Sequence, residues 1–237
     1  MVRRRMLGLM TDDVAPSPIA TEHRAWRPQD FGMKRARDIV DPLLEPVWNG
    51  IRILVHLDED AIAAVDEDGD ELELPPNLAV AIVDAARAVE LVLDGYISAQ
   101  PGRSTEGMVV GRVDGPSASD VMRQMFIGRR HADRAGPPRT IDIRPGDTLV
   151  FVAIDLLSVD GQSLLDVPLL ERKRQLEGSL VESELVRRGS FVRPPVERWV
   201  MSWRAMGFGH VVFKAANGHY TPGQANETWA VWKIPSR

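Results

Sequence analysis

Ile154-Asp-Leu-Leu-Ser-Val-Asp-Gly161, running on through Leu165 and Pro168 to Arg172-Lys-Arg-Gln-Leu-Glu177, is the stretch from which the fold is read. Its first residues belong to a continuous apolar run over 149–157, read as a strand. Val159-Asp-Gly161 ends that strand in a turn, and Pro168, suited to a first helical turn, starts a helix over 169–177. Upstream, Ile51, Ile53, Val55 and Leu57 alternate along a strand that a turn at 57–60 joins to a second strand over 61–65. Asn77 is placed to cap a helix carrying Leu78, Ala81, Ile82, Ala85 and Val89, and residues 91–97 read as a further strand. Downstream, a helix after Pro195 places Val196, Trp199, Val200 and Trp203 on one stripe, read as buried core, and strands follow over 209–214 and 228–234. Strands and helices mix without a βαβ rhythm, so the class is α+β.

Composition narrows the function. The chain has 237 residues, a net charge of −5, 44% hydrophobic residues and no cysteine. Thiol nucleophiles, disulfides and cysteine-held metals are excluded, and five scattered histidines form no His-x-x-x-His pair. No apolar run approaches the roughly 18 residues of a membrane span. The first ten residues are too short and broken for an export signal, so a cytoplasmic location is expected, with translation starting at Met1, Met6 or Met10. Residues 1–40 read as a mostly irregular lead-in with a short helix over 33–39, and 41–237 as one domain. The region 100–148, rich in Gly, Pro and Arg, reads as an insertion with one helix from Ser119. Its cluster Arg129, Arg130, His131, Arg134 and Arg139 reads as a solvated loop, with phosphate contact as the alternative. Only four residues are lysine: Lys34, Lys173, Lys214 and Lys233.

Four short stretches occur in a telling order: Glu45-Pro-Val-Trp-Asn-Gly-Ile-Arg52, Leu93-Asp-Gly95, the 154–161 stretch, and Val211-Val-Phe-Lys214 followed by Tyr220-Thr-Pro-Gly223 and Trp229-Ala-Val-Trp-Lys233. Together they resemble the nucleotidyltransferase (adenylation) domain of ATP-dependent DNA ligases over nearly the whole of 41–233. The resemblance implies two antiparallel sheets flanked by helices with a nucleotide cleft between them. It also implies a chemistry in which a lysine amine attacks the α-phosphate of ATP and passes AMP to a DNA 5′-phosphate, with carboxylates holding Mg²⁺. Because the chain ends four residues after Lys233, no C-terminal oligonucleotide-binding barrel is expected.

The departures fall on the chemistry. The family's Lys-x-Asp-Gly-x-Arg reads Val47-Trp-Asn-Gly-Ile-Arg52, so the nucleophile position holds valine and its aspartate is Asn49. Valine has no lone pair to give to phosphorus. Asp-Gly-Glu has become Asp94-Gly95-Tyr96, and Gly209 stands where a second acid precedes the Val-Val-x-Lys strand. The adenine-stacking aromatic aligns with Ile154, and one lysine of the last motif with Val231. Glu45, Arg52, Ile154, Lys214 and Lys233 form the expected nucleotide-binding remnant. Asp94 and Asp155 read as structural carboxylates, Asn49-Gly50 taken alone as a tight turn, and Lys34 as a poor substitute nucleophile. The reading is a ligase-like domain that has lost adenylation and serves as a nucleotide-binding, nucleic-acid-binding or scaffold module in DNA repair. ATP or AMP is the expected ligand, DNA or a repair protein the expected partner, and Mg²⁺ is not expected. One alternative is an active ligase or adenylyltransferase using ATP, Mg²⁺ and nicked DNA. Another is an interaction module whose cleft is filled by side chains such as Tyr96 and Ile154.

Overall fold

The computed structural model describes residues 25–59, 61–100 and 148–234. The helix expected from Ser119 and the basic cluster Arg129 to Arg139 lie outside them. The alternating run at 51–57 becomes strand β3 (Ile51–Asp58), paired antiparallel with β4 (Ala61–Asp66) on one side and β6 (Leu91–Gln100) on the other. Strand β6 pairs in turn with β7 (Thr148–Val159), the continuous apolar run. Short strands β5 (Glu71–Leu72) and β8 (Gln162–Ser163) extend the edges, and β9 (Val186–Arg188) adds to β7 in parallel, the one departure from antiparallel order in this seven-stranded sheet.

A second sheet has the order β12 (Trp229–Lys233), β10 (His210–Ala215), β2 (Pro42–Pro46), all antiparallel. Strand β2 escaped the sequence reading because its two prolines argue against a strand; it lies at the sheet edge, where proline is tolerated. Residues 25–40 also contribute: β1 (Asp30–Phe31) pairs in parallel with β11 (Ala225–Asn226), and Trp26 and Phe31 pack against the core between the sheets. Of the helix expected over 33–39, a 3-10 turn forms at Ala36–Asp38.

Helix α1 (Pro76–Ala85) and helix α2 (Leu169–Ser179) lie against the outer face of the large sheet, where Leu78, Ile82 and Leu176 meet Ile53, Val55, Leu93 and Phe151. Pro75 stands at the N-cap of helix α1 with no side-chain cap, so Asn77 is inside the helix, and Val89 falls beyond its end and is exposed. Helix α3 (Glu197–Ala205) covers the outer face of the small sheet with Val200 and Trp203. Trp199 does not join them; it is half exposed, because a nine-residue helix on a three-stranded sheet has one narrow buried stripe. The inner faces of the two sheets close on a third cluster, Val47, Leu54, Val92, Leu157, Val212, Tyr220 and Trp229. Among the described residues no helix is long and apolar enough to cross a membrane.

Two glycines of the quoted motifs are required by close approach. A Cβ on Gly50 would sit 2.1 Å from the Ile97 carbonyl oxygen, and one on Gly95 would sit 2.5 Å from the Phe151 ring. The Gly50 contact is with backbone, which cannot rotate away. Gly50→Ala is therefore expected to cost about 2–3 kcal/mol, the upper end of overpacking effects, measured as a lower urea midpoint with unchanged slope.

Candidate functional site

The inter-sheet face carries charged side chains as well as apolar ones. Arg52 on β3 projects beside Tyr96 and Asp94 of β6, and its guanidinium grips Asp94 through two bonds, Nε to Oδ1 at 3.0 Å and Nη2 to Oδ2 at 2.7 Å. Its Nη1 donates to the Gln29 carbonyl oxygen at 2.6 Å. The Tyr220 hydroxyl donates to Asp94 Oδ2 at 2.8 Å and accepts from the Gln29 backbone N–H at 2.9 Å. Burial alone would lower the Arg52 pKa; Asp94, with the two tyrosines, more than offsets this and raises it well above the ordinary arginine value. Tyr96 and Tyr220 are raised, chiefly by burial, and stay neutral at any ordinary pH.

Asp94 stands directly across from Asp155 of β7 in the ladder, beside an irregularity in register. Two buried carboxylates at opposed positions repel each other, and each has its own arginine. Arg172 of α2 binds Asp155 through Nε to Oδ1 at 2.9 Å and Nη2 to Oδ2 at 2.8 Å. Burial would push the Asp155 carboxyl up, and Arg172 holds it below its usual value.

Next to this pair lies a triad. Glu45 of β2 accepts Lys214 Nζ on one oxygen at 2.8 Å and meets Lys173 Nζ on the other at 2.7 Å, all three side chains being at most 3% exposed. Lys173 also donates to the Ile154 carbonyl oxygen. Lys214 stands over the Trp229 ring, 3.9 Å from its centroid, with Arg52 at 5.3 Å from the same ring. Burial brings the Lys214 ammonium down to about 8 against the opposing pull of Glu45, and Lys173 adds to the fall.

Of the residues expected from sequence, Glu45, Val47, Arg52, Tyr96 and Lys214 converge between the sheets, with Ile154 buried on neighbouring β7. Val47 is 6% exposed and packed in the apolar cluster with Trp229 and Leu54. Asn49 is half-buried at the turn into β3, its carbonyl accepting the Ser98 hydroxyl at 2.8 Å. Gly209 is exposed with open space at its Cβ position, Lys233 is exposed at the end of β12, and Lys34 is exposed. Among the described residues no group of three or more His, Asp or Glu could hold a metal ion.

Sequence reasoning missed Lys173, Arg172 and Gln29. A signal existed for the first two: Leu169, Arg172, Lys173 and Leu176 fall at i, i+3, i+4 and i+7, and all four are buried, so the inward face of α2 includes its charges. Gln29 lay in the stretch read as lead-in, with no pattern to mark it; it is fully buried, and its side-chain oxygen accepts from Thr221 N at 2.8 Å and Asn226 Nδ2 at 3.1 Å.

Among solved structures, mycobacterial DNA ligase D complexed with ATP and MES superposes with a TM-score of 0.59 at 20% identity, covering 89% of this chain and 60% of that one. The ligase domain of M. tuberculosis LigD gives a TM-score of 0.59 at 23% identity, with coverage of 89% and 60%. The fold is that of the DNA ligase adenylation domain. Sequence relatives agree with this ligase-like domain. A DNA ligase of Natronomonas pharaonis is 27% identical over 188 residues, 78% of this chain and 31% of the ligase. A probable DNA ligase of Streptomyces avermitilis is 27% identical over 194 residues, 78% of this chain and 34% of that protein. The chain thus spans about a third of the length of these relatives. It matches no protein-family model.

Val47 is thus sealed in the apolar seam, and Arg52 and Lys214 are bound to Asp94 and Glu45.

Proposed function

We propose that this chain is a ligase-like nucleotidyltransferase domain that does not adenylate itself and acts as a scaffold in a DNA-repair setting, with DNA or a repair protein as its partner. The observation that carries the reading is Val47, a side chain without a lone pair, packed into the apolar seam where the family's nucleophile stands. The paired cations support it: a phosphate entering between the sheets has to break charge-assisted bonds that are already made, in a region already desolvated. Sequence kinship to DNA ligases over 78% of the chain supports the DNA setting.

Incubation with α-labelled ATP and Mg²⁺, followed by denaturing electrophoresis, is expected to leave the protein unlabelled. A labelled band overturns the reading and favours the active ligase, and Lys173→Arg and Lys214→Arg then locate the amine. Thermal unfolding separates a scaffold from a nucleotide-binding remnant. A ligand at a hundred times its Kd adds about 2.7 kcal/mol, a shift of about 5–11 °C for a chain of this size at about 2–4 °C per kcal/mol. The expected shift with millimolar ATP or AMP is under about 1 °C; a full shift that Lys214→Ala abolishes establishes the remnant instead.

A further inference from the structure

The outer face of the small sheet carries a groove of about 720 Å³ that has no part in the cleft. Phe213 of β10 and Trp232 of β12 form its floor, their rings edge to face with centroids 6.5 Å apart. Val200 and Met201 of α3 form one wall, and the 3-10 turn brings Arg35 and Arg37 to the opposite rim. Trp232 and Met201 are 39% and 48% exposed, so large apolar groups here face solvent together. Charge is arranged around them. Arg35, Arg37 and Arg204 line the groove with Glu197 as the one acidic lining residue, and Asp38 lies 3.8 Å from Arg37 at the rim, so the surround keeps an excess of positive charge on a chain whose net charge is −5.

We infer that this groove docks an acidic amphipathic helix of a partner protein, with apolar side chains seated on Trp232 and Met201 and carboxylates facing the arginine rim. The volume suits a few large side chains, and a helix delivers them from one face at i, i+3, i+4 and i+7. The basic rim on an acidic protein selects a negative partner through complementary charge. A nucleic-acid strand matches the surface less well, because it lays a phosphate at every nucleotide across a floor that is carbon. A second copy of this acidic chain is another occupant. The inference stands apart from the proposed loss of adenylation, since it uses none of the cleft residues.

The probe is a fluorescein-labelled synthetic helix of about 16 residues, Leu and Phe on the seam and Glu elsewhere, followed by anisotropy against the full chain. Saturable binding is expected, at least about tenfold tighter than for the same peptide with Lys in place of Glu and weaker at high salt. Met201→Glu and Arg37→Glu are each expected to weaken it about tenfold with an unchanged thermal midpoint, since both side chains are exposed. Equal affinity for the lysine peptide, or indifference to Met201→Glu, overturns the proposal. So does displacement of the peptide by a single-stranded oligonucleotide, or a concentration-dependent dimer in size-exclusion chromatography that Met201→Glu abolishes.

Discussion

Glu45→Gln is expected to destabilise the protein by about 3–5 kcal/mol at pH 7, the cost of breaking a buried ion pair from one side. The reason is the charge count at one carboxylate. Lys173 and Lys214 reach it from different elements, helix α2 and strand β10, and both ammonium groups are buried with it. The amide can still accept a hydrogen bond, but two like charges then share a desolvated space with no counter-ion between them. Removing a lysine is different. Lys214→Met leaves Lys173 and Glu45 as a balanced pair and is expected to cost less than about 2 kcal/mol. Urea unfolding of both variants checks the order, and a Glu45→Gln protein as stable as Lys214→Met would show that water reaches the triad.

The same triad fixes a pH dependence. Lys214 has a folded pKa of about 8 against an ordinary lysine value of 10.5. Between those limits the unfolded chain binds more protons than the folded one, so stability rises with pH across the window. The full rise is about 3 kcal/mol at 1.36 kcal/mol per unit. Tyr96 and Tyr220 act in the opposite sense, since both are raised above their ordinary 10.0. Above pH 10 the unfolded tyrosines release protons that the folded ones keep, and stability falls. Wild-type urea midpoints are thus expected to climb from pH 7 to about 9.5 and then decline, with the climb lost in Lys214→Met.

Much of this architecture is legible from the chain itself, and the failures have physical reasons. The apolar run of β7, the alternation of β3 and the Pro168 helix start all reflect local rules that tertiary packing did not override. Strand β2 was hidden by its prolines, and Trp199 was assigned to the core because period alone does not say how wide a buried stripe is. Within the site, sequence position located Glu45, Arg52 and Lys214, but it could not show what they touch. Their partners are distant in sequence, Asp94 lying 42 residues from Arg52 and Glu45 lying 169 from Lys214. Charged residues read as available to an anion are instead committed to one another. Lys173 was overlooked for a related reason: a charge-rich helix segment looks solvated, yet its basic face turns inward to Glu45 and Asp155.

On the proposed reading, Val47→Lys returns an amine to the position the resemblance gives to the nucleophile and is expected to restore nothing else. Val47 lies among Leu54, Val92, Leu157, Val212 and Trp229, so the new ammonium enters an apolar seam two residues after Glu45, a carboxylate already shared by two lysines. Desolvation and like charge both act against the protonated amine and drive its pKa down. The expected loss is about 3–5 kcal/mol at pH 7, diminishing as pH rises and the amine is released from its proton. Val47→Met, apolar and flexible, is expected to cost less than about 1.5 kcal/mol. No AMP adduct is expected from the lysine variant at any pH, because Tyr96 and Gly209 stand where the resemblance calls for acids and Arg52 stays bound to Asp94. The two readouts separate the possible causes. A variant that is stable and takes up label would mean that the sheets part readily and that only one side chain had been lost. A variant that is unstable, unlabelled and rescued towards high pH would mean that the seam closed around valine, so that regaining the chemistry requires rebuilding the ion pairs along with the amine.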